Sequence, residues 1–223
     1  MFKTILTLER FDEDMRLLEK RERESRSWLK HFFDEFYPMT SFTQLVTIND
    51  IGGVARTLAA CGIMNNAGPY CNLQVVSSPG NTGLFVPISQ VGGYDWNGAT
   101  PYRGEDVGIV VGTNNGGASP LQDALLSKIA HGEIAGQLLY GGCELYGLTI
   151  NVPGGTGQFS IRRYFTNVLG GAIAVAEVGL YSPGYNATDT CYVFCIHREV
   201  VAPAVTVNNG EILRVTITPQ IAV

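Results

Sequence analysis

The chain has 223 residues and a net charge of −5 with a pI near 5.2, which excludes nucleic acid as its main partner, because a nucleic-acid binder carries a basic stripe. Charged residues make up 16% of the chain, against roughly 25% in ordinary soluble domains, while 45% of it is hydrophobic, so much of the surface has to be uncharged. The 27 glycines and 10 prolines follow no three-residue period, which excludes collagen; they punctuate apolar runs as turns between strands do.

Charge is unevenly distributed. Residues 1–35 hold eight of the 15 Lys+Arg and nine of the 20 Asp+Glu, which predicts a boundary near Pro38–Ser41. The expected organisation is a charged N-terminal arm over residues 1–40 and a β-sandwich domain over 41–223. The arm can be read as one long amphipathic helix through Lys3–Tyr37, or as a hairpin followed by a helix. The second reading is preferred. Lys3–Glu9 is rich in β-branched residues, Asp12-Glu-Asp14 is turn-like, and Arg16–Glu24 would return as a charged strand. Ser25 or Ser27 would then cap a helix over Trp28–Tyr37, stopped by Pro38. Its apolar stripe, Trp28, Leu29, Phe32, Phe33 and Phe36, needs a surface to cover it and is the candidate assembly contact.

From residue 42 the pattern is β. Strands are expected over Gln44–Ile51, Val54–Leu58, Tyr70–Val76, Gly83–Ser89 and Val107–Val111. Residues 91–105 form a loop with three aromatic anchors, Tyr94, Trp96 and Tyr102, which could stack on a sugar but fit loop packing or a subunit contact better. One short internal helix is expected after Ser119-Pro-Leu-Gln122, which has the N-cap, first-turn proline and capping-box glutamine of a helix start; Leu121, Leu125, Leu126 and Ile129 would be its stripe, with His131 in the last turn and Gly132 as stop. Strands resume over Gln137–Tyr140, Glu144–Val152, Gly157–Asn167, Ala172–Tyr181, Thr190–Glu199, Ala204–Val207 and Glu211–Pro219. Hairpin turns are expected at Leu169-Gly-Gly171 and Asn208-Asn-Gly210. Short strands between turns indicate a mainly β fold, a β-sandwich or jelly roll.

Apparent chemistry dissolves on spacing. Cys195, His197 and Glu199 alternate along one strand, but side chains two residues apart on a strand are roughly 6.5–7 Å apart, too far for a thiol and its base. Gly112-Thr-Asn-Asn-Gly-Gly-Ala118 lacks the Gly-Lys-Ser/Thr of a phosphate loop. Glu105-Asp106 has no Asp-x-Asp-x-Asp pattern around it for calcium. The five cysteines show no CxxC and read as buried thiols, and three scattered histidines offer no zinc site. No catalytic residue, metal or cofactor is therefore expected. No segment reads as a signal peptide or a membrane span, which sets aside the sequon Asn186-Ala-Thr188 and implies synthesis in a cytoplasm.

Several stretches carry a resemblance. They are Thr7-Leu-Glu-Arg-Phe-Asp12, Leu18-Glu-Lys-Arg-Glu22, Ser25-Arg-Ser-Trp-Leu-Lys-His31, Gly108-Ile-Val-Val-Gly-Thr113, Lys128-Ile-Ala-His-Gly132, Gly136-Gln-Leu-Leu-Tyr140, Phe165-Thr-Asn167, Gly170-Gly-Ala-Ile173, Ala176-Glu-Val-Gly-Leu-Tyr181 and Val207-Asn-Asn-Gly-Glu-Ile-Leu-Arg-Val-Thr216. Together they resemble virion structural proteins of tailed bacteriophages. The resemblance implies a non-enzymatic part of the capsid, its decoration or the tail, located in the virion and partnered by copies of itself and other virion proteins. It carries over no catalytic residues. The alternative is a carbohydrate- or receptor-binding module at a tail or fibre tip, resting on the aromatic loop Gly92–Arg103.

Overall fold

The computed structural model describes residues 2–25, 27–28, 30, 32, 45–61, 72–75, 106–117, 119–151, 153–185 and 191–222. The protein is mainly β. Among the described residues, eleven strands run in chain order as β1 (Phe2–Phe11), β2 (Leu17–Ser25), β3 (Leu45–Asn49), β4 (Ala55–Cys61), β5 (Asn72–Val75), β6 (Gly108–Gly112), β7 (Leu139–Asn151), β8 (Thr156–Thr166), β9 (Ile173–Tyr185), β10 (Cys191–Val207) and β11 (Ile212–Ala222). A first sheet has the order β2-β1-β11-β8-β7, and a second has β10-β9-β5-β4-β3 with β6 also paired to β9. All pairings are antiparallel except β5 with β9.

The N-terminal hairpin forms as expected. Asp12 Oδ1 accepts the backbone N–H groups of Asp14 and Arg16 and so closes the turn between β1 and β2. The hairpin is not an appendage, however. β1 lies inside the first sheet and pairs with β11 from Phe2↔Ile221 to Phe11↔Ile212. Alternation explains the placement: Leu6 and Leu8 point into the core, while Lys3, Thr7 and Glu9 occupy the other face. The boundary expected near Pro38–Ser41 lies outside the described residues.

One core joins the two sheets. Leu6, Leu8, Ile161, Phe165, Leu213, Val215 and Ile217 of the first sheet belong to the same buried cluster as Ile109, Val175, Val178, Leu180, Val193 and Val205 of the second. The strands expected at Gln137–Tyr140 and Glu144–Val152 are one strand, β7, with a register shift between Tyr140 and Cys143. Thr190–Glu199 and Ala204–Val207 likewise merge into β10, with a shift between Val200 and Val205. Bulges of this kind leave residues unpaired without ending the strand, and sequence alternation alone reads them as breaks.

The internal helix is absent. Residues 119–131 form turns and bends with isolated bridges. Half of the expected capping box forms: Ser119 N–H donates to Gln122 Oε1, while Gln122 N–H closes a turn on the Ser119 carbonyl and the Ser119 hydroxyl accepts from Leu121 N–H instead. They do not propagate, because tertiary partners take the next amides. Leu125 N–H donates to the Tyr181 hydroxyl, and Leu126 and Ser127 N–H donate to the Glu177 carboxylate. Ile129 N–H then pairs with the Val111 carbonyl. Leu125 and Ile129 are buried as expected, whereas Leu121 and Leu126 are exposed. His131 caps no helix; its Nδ1 accepts the Tyr140 N–H. Gly112 marks how closely this segment packs on β6, since a Cβ there would sit 2.4 Å from Glu177 Oε1 and 2.5 Å from the Ser127 carbonyl oxygen.

Candidate functional site

The residues singled out from sequence fall in different places. Trp28 and Phe32 pack against the molecule's own core, with ring centroids 4.3 Å apart. Lys30 and Phe32 have helical backbone; Leu29, Phe33 and Phe36 lie outside the described residues, as do Tyr94, Trp96 and Tyr102 with the whole of the aromatic loop. The half-buried Trp28 also donates from Nε1 to Thr4 Oγ1 at 2.8 Å, so this part of the stripe is already covered within the chain.

The Cys195/His197/Glu199 line holds no nucleophile. A bulge separates Cys195 from His197 in the pairing with β9, and the Cys195 thiol faces the His197 carbonyl rather than its ring. Burial pushes the thiol up, so it stays protonated. His197 Nε2 lies 3.0 Å from Ser25 Oγ, and Ser25 Oγ donates to Glu199 Oε2. The carboxylate thus sits on the serine and not on the second imidazole nitrogen, the reverse of a serine-histidine-acid relay. Ser25 itself is buried.

The other charged groups are consumed by architecture. Arg163 is buried and donates to three backbone carbonyls, of Gly141 at 2.8 Å, Val107 at 3.0 Å and Ile109 at 2.9 Å, with its guanidinium 4.8 Å from the centre of the Tyr140 ring. Its neighbour Arg162 pairs with Glu144 on the opposite face. Arg198 and Glu177 form an ion pair with both side chains at 0% exposure. The glycine-rich loop at 112–117 turns its Gly116 and Gly117 carbonyls onto Arg198, so it is built around a cation already present and cannot cradle a phosphate. Asp106 is held by Lys128. Cys143 and Cys195 are free and buried. Among the described residues no group of three or more His, Cys, Asp and Glu could hold a metal ion.

What remains is an edge. β7 ends the first sheet, and beyond it no described strand pairs with it. Leu145, Leu148 and Ile150 are 50%, 75% and 66% exposed. Leu145 stands opposite Ile161 and Ile150 opposite Gly157, so both side chains lie on the core-facing side of the sheet where nothing described covers them. Gly147, with φ +68°, provides the left-handed residue of the bulge between Tyr146 and Thr149 that lets the strand continue. Glu144 is the one charged residue of β7. At the other end of the sheet β2 carries six charges from Glu19 to Glu24. Charged edges resist pairing with another chain, whereas an apolar, uncharged edge invites it. Sequence reading placed the assembly surface on the aromatic stripe and missed β7, although the run Leu145-Tyr-Gly-Leu-Thr-Ile150 contains no charge to protect it.

No known protein family, no curated protein sequence and no solved structure matches the chain.

Proposed function

We propose that this protein is a structural, non-enzymatic component of a tailed-phage virion, a β-sandwich of jelly-roll type that assembles with copies of itself and docks on other virion proteins in the capsid, its decoration or the tail. The resemblance of ten stretches along the chain supplies the virion part of this reading. The open apolar edge of β7 carries the assembly part. Antiparallel pairing of two β7 strands about a two-fold axis sets the segment Leu145–Ile150 against itself, with apolar residues facing apolar residues and no like charges opposed. Main-chain hydrogen bonds would give affinity and the aliphatic side chains a shared apolar strip.

Sedimentation velocity over a range of concentrations tests the interface. The wild type should form a discrete oligomer. Leu148→Lys with Ile150→Lys should weaken association at least tenfold, because covering one such side chain contributes about 1.5–3 kcal/mol and about 1.4 kcal/mol is a factor of ten. Glu22→Lys on the β2 edge should change nothing. A wild type that stays monomeric, or a double variant that associates as the wild type does, would remove β7 from the account.

A further inference from the structure

The geometry points to an acid-opened seam: protonation of His197 releases Ser27 and Trp28 from β10 and loosens the side of the molecule where the two sheets are joined.

β2 and β10 are terminal strands of their sheets, and they meet at this seam. Arg23 of β2 pairs with Glu199 of β10 at 2.8 Å and also donates to the Val200 carbonyl, while Arg21 donates to the Pro203 carbonyl. The chain leaving β2 then crosses over His197. Trp28 forms an isolated antiparallel bridge with His197, Arg198 N–H donates to the Ser27 carbonyl, and Lys30 N–H donates to the Pro120 carbonyl. The Trp28 ring meets the imidazole edge-on, with centroids 5.1 Å apart.

Proton accounting fixes the imidazole tautomer. Ser25 Oγ gives its one proton to Glu199 Oε2 and accepts the Ser27 N–H. His197 Nε2, 3.0 Å from the same oxygen, must therefore be the N–H donor, which leaves Nδ1 bare. Nδ1 is fully buried and has no hydrogen-bond partner. A proton arriving there needs an acceptor, and the closed seam supplies none. Every described element around the ring contributes a neighbour. β2 supplies Ser25 and Arg23, and β1 supplies Thr4 by way of Trp28. The crossing segment supplies Trp28 and Phe32, and β9 supplies Leu180 across the ladder. β10 itself supplies the protonated Cys195, Glu199, and Arg198, whose guanidinium is spent on Glu177. Glu199 is the one anion near the ring, and Ser25 and Arg23 already occupy it.

Burial, partly opposed by Glu199, lowers the His197 pKa from 6.5 to about 4. The folded ring is neutral, and the opened ring takes up a proton once the pH falls below about 6.5. Stability of the closed seam is thus fully present above pH 6.5 and is lost as the pH falls toward 4. Between pH 7.5 and 5.0 this linkage favours opening by about 30-fold.

The device belongs to the single chain, so its test is independent of any oligomer. Hydrogen exchange of the full chain, corrected for the intrinsic pH dependence of amide exchange, is measured at pH 7.5 and 5.0. Amides of residues 27, 28, 197 and 198 should lose protection by about 30-fold and exchange well ahead of β8 and β11. His197→Gln keeps a neutral donor toward Ser25 and should abolish that pH dependence. Should this variant fail to fold, proton NMR of the wild-type imidazole serves instead: its titration should coincide with the shift of the Trp28 indole N–H. The inference is overturned if seam and core amides exchange together at both pH values, if His197→Gln retains the effect, or if the ring titrates without any change at Trp28.

Discussion

Deleting residues 1–25 should leave no cooperatively folded domain. β1 is the inner neighbour of β11 over ten paired residues, and its removal strips β11 of one whole ladder. It also removes Leu6 and Leu8, which are 0% and 3% exposed, from the shared core. Truncating each of these two to alanine would cost about 2–5 kcal/mol, against a total stability for such a domain of about 5–15 kcal/mol. Loss of the whole strand, with Thr4 and the Arg10 ion pair to Glu211, exceeds that margin. Solubility and a far-ultraviolet circular dichroism melt read the outcome. A truncated chain that stays soluble and melts cooperatively would restore the view of residues 1–40 as a detachable arm.

Arg198→Met should be the most damaging single substitution among the polar residues, with a cost of about 3–5 kcal/mol. The wild-type Arg198 donates from Nε to Glu177 at 2.8 Å, from Nη1 to Gln122 Oε1 at 2.8 Å, and to the Gly116 and Gly117 carbonyls. Glu177 in turn accepts the N–H groups of Leu126 and Ser127. Removing the arginine leaves a carboxylate without its counter-charge at 0% exposure and frees the loop that both groups hold down. The double variant Glu177→Leu with Arg198→Met should be less unstable than the sum of its parts, since no buried charge is then left alone; the remaining loss reflects the two orphaned loop amides. Urea denaturation measures both quantities, and limited proteolysis should cut within residues 113–128 in the single variant. Additive effects, or a single variant within about 1 kcal/mol of wild type, would show that the pair does not organise this loop.

Much of the strand pattern was legible in the sequence. Residues 211–219 alternate cleanly, and β11 puts Leu213, Val215 and Ile217 into the core with Arg214 and Thr216 on the other face. The turns at 169–171 and 208–210 also fall where glycine was expected, and Gly170 and Gly210 have φ of +105° and +82°. The helix over residues 119–131 was misread because its signals are local. Ser119 N–H does bond to Gln122 Oε1, but Glu177 and Tyr181, more than fifty positions away, compete for the following amides, and local propensity carries no record of them. The buried acid was legible in principle. Glu177 stands in the otherwise apolar run Ile173–Tyr181, and a charge in such a position needs a partner, whereas Arg163 beside Arg162 and Arg198 between His197 and Glu199 read as polar stretches. Sequence alone does not say which one. The seam at His197 was least legible, because the alternation that grouped it with Cys195 is broken by a bulge.

The proposed role makes this chain a counted structural part of a virion. Quantitative mass spectrometry of particles purified from cells that produce the chain tests that proposal most directly. The account predicts the protein in the particle at a fixed copy number, a multiple set by the symmetry of capsid or tail. A protein abundant in the infected cell but absent from purified particles, or present at a varying trace level, would contradict it.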